Sequence, residues 1–96
     1  MIKKLQIEQN DTIIYKGKPV NIPIKKDAMI RRSIEMFDDE DPCIIHQSYV
    51  AKKFANDLEN LFKTENTKTL DCTKYSEQLA FLAIDDLTNT RITILK

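Results

Sequence analysis

FDDEDPCIIHQS, residues Phe37–Ser48, places four acids, a cysteine and the only histidine of a 96-residue chain within a dozen positions. Two readings compete for it. Either these side chains gather a metal or a reacting group, or they join two helices. The segments on either side favour the join. Upstream, AMIRRSIEMF (28–37) spaces Ile30, Ile34 and Phe37 three to four apart, as the buried stripe of a helix that Asp27 would cap. Downstream, Ile44, Ala51, Phe54, Ala55, Leu58, Leu61 and Phe62 form a second apolar pattern of helical period, ending near Lys63. Asp41-Pro42 then reads as an N-cap with proline at the first helical position, where its missing N–H costs nothing. Asp38, Asp39 and Glu40 stand just ahead, where carboxylates favour the positive end of the helix dipole. A rival start at Ser48 leaves CIIH extended.

Outward from the two helices, both ends of the chain read as strands. Leu5 and Ile7 alternate with Lys4, Gln6 and Glu8, Asn10-Asp11 supplies a turn, and TIIY (12–15) resumes β character. Gly17-Lys18 is a second turn, around the only glycine. KPVNIPI (18–24) follows with Val20, Ile22 and Ile24 two apart. Its prolines, Pro19 and Pro23, share the other parity, as an edge strand allows. This predicts an N-terminal β-meander of three strands. After the polar connector TENTKT (64–69), Leu70 and Cys72 fit a short strand. LAFLAI (79–84) is apolar on both parities, which fits a strand covered on both faces or a buried helix within 76–87. With RITIL (91–95) the strand reading gives a C-terminal β-hairpin. The expected class is α+β, one domain over 1–96: an antiparallel sheet from the meander and the hairpin, with two helices packed on one face.

Composition limits function. At 42% hydrophobic and 31% charged the chain is globular, and 96 residues bury roughly 65% of the unfolded surface without needing a metal or disulfide staple. Fifteen basic and fifteen acidic residues cancel, but unevenly. Residues 1–36 carry a net charge of +4 and residues 37–60 a net −4. Two distant cysteines, no signal-like leader and a longest apolar run of six residues point to a cytoplasmic, reducing setting without a membrane span. Twelve lysines against three arginines fit an AT-rich bacterial or phage genome.

The candidate chemistry is thin. Cys43 and His46 lie three apart and share a helix face, but a zinc site needs more ligands, and Cys72, Asp39 or Asp41 would have to supply them. A Cys43–His46 thiol pair lacks a visible orienting group and oxyanion hole, and four carboxylates oppose the thiolate. One glycine excludes the Gly-rich phosphate loops. Lys16, Lys18, Lys25, Lys26, Arg31 and Arg32 could form a basic patch for nucleic acid over residues 16–32, although Tyr15 is the only aromatic among them. Neither a catalytic residue nor a cofactor or metal site is therefore expected. The expected function is a non-catalytic, adaptor-type or regulatory protein that binds another protein and acts as a homodimer. Its expected partner surface is Arg31 and Arg32 with the acidic loop Asp38, Asp39, Glu40 and Asp41. The homodimer is expected because a strand at 79–84 would leave an apolar sheet face uncovered. A nucleic-acid-binding regulator and a small metal-binding or thiol enzyme are the alternatives.

Overall fold

Asn10 and Asp11 both take left-handed backbone, φ 52° and 65°. Two consecutive positive φ angles make the tight hairpin turn whose twist matches its strands. In the computed structural model, which describes residues 2–95, this turn joins β1 (Lys4–Gln9) to β2 (Thr12–Gly17). The pair contains a bulge. Ile7 faces Tyr15 and Glu8 faces Ile13, so Ile14 is the extra residue and the parity of β2 reverses there. Tyr15 consequently packs toward the core, while Ile13 and Ile14 are exposed. At Gly17 the Tyr15 ring packs close to the backbone: a Cβ there would come within 2.8 Å of the Tyr15 hydroxyl and displace it.

The chain continues through α1 (Lys26–Phe37), α2 (Ile44–Glu65), β3 (Thr69–Asp71) and β4 (Thr90–Leu95). The sheet is antiparallel in the order β2-β1-β4-β3, with both helices on one face, so the class is α+β. Leu5, Ile7, Leu70 and Ile92 point to that face and are essentially inaccessible. Val50, Phe54, Leu58 and Phe62 of α2 cover them. These recur every fourth residue, so the buried stripe drifts slowly around the helix and follows the twisted sheet. The opposite sheet face is mostly polar, with Ile13 exposed opposite Glu8. Arg91 pairs with Glu8 at 3.1 Å, and Thr69 lies 3.4 Å from Thr93. Among the described residues, no helix is long and apolar enough to cross a membrane.

Two expected strands are replaced. The expected third strand of the meander (18–24) is a 3-10 turn at Pro19–Asn21 followed by a single bridge, Ile24 to Leu82. Pro19 opens the turn, where its missing N–H costs nothing, and Pro23 offers only its carbonyl, to the Ala83 N–H at 3.0 Å. The 79–84 segment is neither strand nor helix. Residues 72–81 form successive turns, closed by bonds such as Leu79 N–H to Tyr75 C=O and Leu82 N–H to Leu79 C=O. Leu79, Phe81 and Leu82 bury while Ala80 and Ala83 stay exposed. The expected C-terminal hairpin thus becomes β4 between β1 and β3, and the uncovered apolar face expected of a strand at 79–84 does not exist.

Smaller shifts have local causes. Helix α1 begins at Lys26, before the expected cap Asp27, because Lys25 donates its N–H to the Phe81 carbonyl at 2.8 Å and fixes the entry point. Asp27 sits instead in the first turn. Helix α2 begins at Ile44, with Cys43 and not Asp41 at the cap position, and Ser48 lies well inside it. The cause is Asp39, whose Oδ1 accepts the Asp41 N–H at 3.0 Å and turns the chain before the helix can start. Asn66, left-handed at φ 50°, ends α2, and the Thr67 N–H returns to the Phe62 carbonyl at 3.2 Å.

Candidate functional site

Asp38 closes α1 in left-handed conformation, φ 55°, its N–H bonded to the Ile34 carbonyl. The chain then reverses, and Asp39 is held from two sides. One oxygen accepts the Asp41 N–H, and the other lies 2.7 Å from His46 Nδ1 on the first turn of α2. These bonds, the backbone one foremost, hold the Asp39 carboxyl below its ordinary value of 3.8. The His46 ring stacks on Phe37 at 4.2 Å and 9°, and Tyr49 leans on the same Phe37 ring at 6.0 Å. The opening segment is therefore a braced corner between two antiparallel helices. The histidine is occupied in fixing it.

The expected ligands do not converge. Among the described residues, no group of three or more His, Cys, Asp or Glu is placed to hold a metal ion. Cys43 is exposed at the start of α2, whereas Cys72 is buried in the core. Burial, with the Asp71 charge adding to it, pushes the Cys72 thiol up to about 12, so little thiolate exists there at neutral pH. The basic segment is also divided. Arg32 lies over the Phe54 ring at 4.6 Å and pairs with Asp57 at 3.1 Å and Glu35 at 3.4 Å. Phe54 in turn stacks on Phe81 at 4.4 Å. Arg32 is thus a bolt between the helices and the 79–84 segment. Arg31, Asp38, Glu40 and Asp41 are exposed.

The corner carries a surface that the periodicity did not announce. Ile44 is 83% exposed, Ile45 66% and Tyr49 52%. Ile34, expected in the buried stripe of α1, is 41% exposed. The residues of α1 that pack on the core are Ala28, Met29 and Phe37, with Ser33 fully buried between them. Ile34 and Phe37 share a helix flank, Phe37 touches Tyr49, and Tyr49 and Ile45 are four apart on α2. An apolar strip therefore runs across the corner beside the acidic loop. One signal was available. Ile45 lies off the 50, 54, 58, 62 stripe, whereas Ile44, five full turns before Phe62, does not, so spacing marks only Ile45 as unable to share its burial.

Further along the exposed side of α2 lies a hollow of about 720 Å³. Ile2, Val20 and Ala55 contribute apolar surface to it, and Lys3, Lys18 and Lys52 stand around it. Glu59 also lines it and forms an ion pair with Lys63 at 3.8 Å. No known protein family, curated protein or solved structure matches the chain.

Proposed function

We propose that this chain is a small, non-catalytic protein-interaction domain whose docking face is the helix corner and the exposed side of α2. The observation that carries the reading is the exposure of Ile44, Ile45 and Tyr49 on a corner braced by Asp39, His46 and Phe37. Large apolar side chains clustered beside charges are the usual composition of an interface centre and its rim. A braced corner also loses little conformational freedom on binding, which favours affinity. Arg31 and the acids Asp38, Glu40 and Asp41 would form the rim, where charge guides orientation more than it adds strength. Arg32, engaged with Asp57, Glu35 and Phe54, belongs to the scaffold in this reading.

The alternatives have less support. Chemistry at Cys43 or Cys72 would need side chains that stand apart, and of the basic residues in 16–32, Lys25, Arg31 and Arg32 share the hollow beside α1 with Asp27, Glu35 and Asp57. The test uses the exposed thiol. A photoreactive maleimide attached at Cys43 should capture a partner, and the triple variant Ile44→Ser, Ile45→Ser, Tyr49→Ser should lose it while keeping the wild-type circular dichroism. Equal capture by the triple variant would remove the docking face from consideration.

A further inference from the structure

The exposed side of α2 has two unlike ends. Ile44, Ser48, Ala55 and Glu59 lie within a narrow range of azimuth, since steps of seven and eleven residues bring a helix back almost to the same side. Ile45, Tyr49, Lys52 and Asn56 lie on the adjoining stripe. All eight are exposed or half-buried. At the N-terminal end two isoleucines project beside the exposed acids Asp38, Glu40 and Asp41. Toward the C-terminal end the hollow offers apolar walls at Val20 and Ala55 beside Lys3 and Lys18, with Lys52 at its mid-helix rim. One end is an apolar projection with negative charge, and the other an apolar recess with positive charge.

We propose that the partner of this face is a second copy of the same chain, packed with its α2 antiparallel across a two-fold axis near Ala51. This deepens the docking-face reading above and rests on it. A two-fold interface must be self-complementary, so that each end of the stripe meets the other end in the partner. Antiparallel pairing does this twice at once. Ile44 and Ile45 of each copy enter the hollow of the other, and each acidic loop faces the other copy's lysines. Parallel pairing would set acid against acid and recess against recess. The 22 residues of α2 span ~33 Å, and the flanking loop and 3-10 turn widen the strip. That is the dimension of a standard interface of about 800 Å² on each partner. The open sheet face exposes Ile13 among mostly polar residues, Glu8, Arg91, Thr69 and Thr93.

Sedimentation equilibrium at micromolar concentration tests the pairing through charge reversal. Wild type should be a dimer. The recess variant (Lys3→Glu, Lys18→Glu) and the loop variant (Asp38→Lys, Asp41→Lys) should each be monomeric. Mixed, the two variants should recombine one to one. The chain carrying all four substitutions, whose net charge equals that of wild type, should dimerise again. Circular dichroism checks that each variant is folded. A measurement on the unmutated sequence covers the case where a variant does not fold. A spin label on Cys43 should report one intermolecular distance, because antiparallel pairing sets the two sites about 24 Å apart along the axis at ~1.5 Å per residue. A monomeric wild type with no intermolecular distance overturns the proposal, as does a dimer indifferent to the reversals. If wild type is monomeric yet the Ile44, Ile45, Tyr49 variant still loses a captured protein, the docking face stands and only the second copy is wrong.

Discussion

LAFLAI (79–84) and CIIHQSY (43–49) each carry three large apolar side chains or more, and the structure treats them oppositely. In the first, Leu79, Phe81 and Leu82 are 1%, 8% and 1% exposed, although the segment has no regular structure. In the second, Ile44 and Ile45 stand in solvent on a well-formed helix. Burial is therefore not a consequence of regularity. The irregular segment closes the core because its ends are tied. The Phe81 carbonyl takes the Lys25 N–H, the Ala83 N–H reaches the Pro23 carbonyl, and Phe81 stacks on Phe54. The helical segment carries Ile44, Ile45 and Tyr49 exposed, at 83%, 66% and 52%. A chain that leaves isoleucines exposed on one side of a helix while packing a loop elsewhere has surface available for another molecule.

Experiments can strain this contrast, beginning with the largest effect. The two thiols sample the two environments. A thiol near 12, against an ordinary 9.0, holds on the order of a thousandfold less thiolate at neutral pH. Cys43 should react with a maleimide in the native state, and Cys72 only after unfolding. Comparable native labelling of both would mean that the 72–84 segment opens readily. Next, Leu82→Ala should cost about 2–5 kcal/mol in urea unfolding, because the cavity it leaves lies inside the tied segment. Ile45→Ala should change the unfolding free energy by less than about 0.5 kcal/mol when measured at protein concentrations below any self-association. Equal losses would show that the corner is as much a part of the core as the loop.

Ser33 gives a smaller effect of opposite sign. Its hydroxyl is fully buried and has no hydrogen-bond partner among the described residues. Ser33→Ala should stabilise the fold by about 1 kcal/mol, since alanine removes an unsatisfied group and is the better helix former. A loss of stability would reveal a bond made through water. The smallest effect belongs to the corner brace. Asp39 is held below 3.8 in the folded state, so its contribution is complete above that pH and fades as pH falls through the lower folded value. Asp39→Asn should be less stable than wild type at pH 6, and the gap should close below pH ~3.8. A gap independent of pH would assign the difference to packing instead of charge.

Much of the scaffold was legible. The alternation in β1, the Asn10-Asp11 turn, the short strand near Leu70 and the alternation of β4 all stand where local chemistry puts them. So do the two helices and the acidic join between them. The site was less legible. Helical spacing showed that Ile34 and Ile44 could lie on apolar faces, but not that both would be left exposed. The bulge at Ile14 was hidden because TIIY is β-forming in either register.

By itself the sequence determined the local events: where most turns bend, which residues prefer strand or helix, and that the Phe37–Ser48 segment joins two helices. These follow from interactions a few residues long, such as the Asp39 carboxylate reaching the Asp41 N–H. Tertiary structure alone decided that KPVNIPI yields its strand to a turn and one bridge, that LAFLAI becomes a plug, and which isoleucines face water. Those outcomes depend on contacts between segments distant in the chain, Ile24 with Leu82 and Phe54 with Phe81. Apolar residues state only that burial is favourable. The shape of the remaining surface decides which of them obtain it.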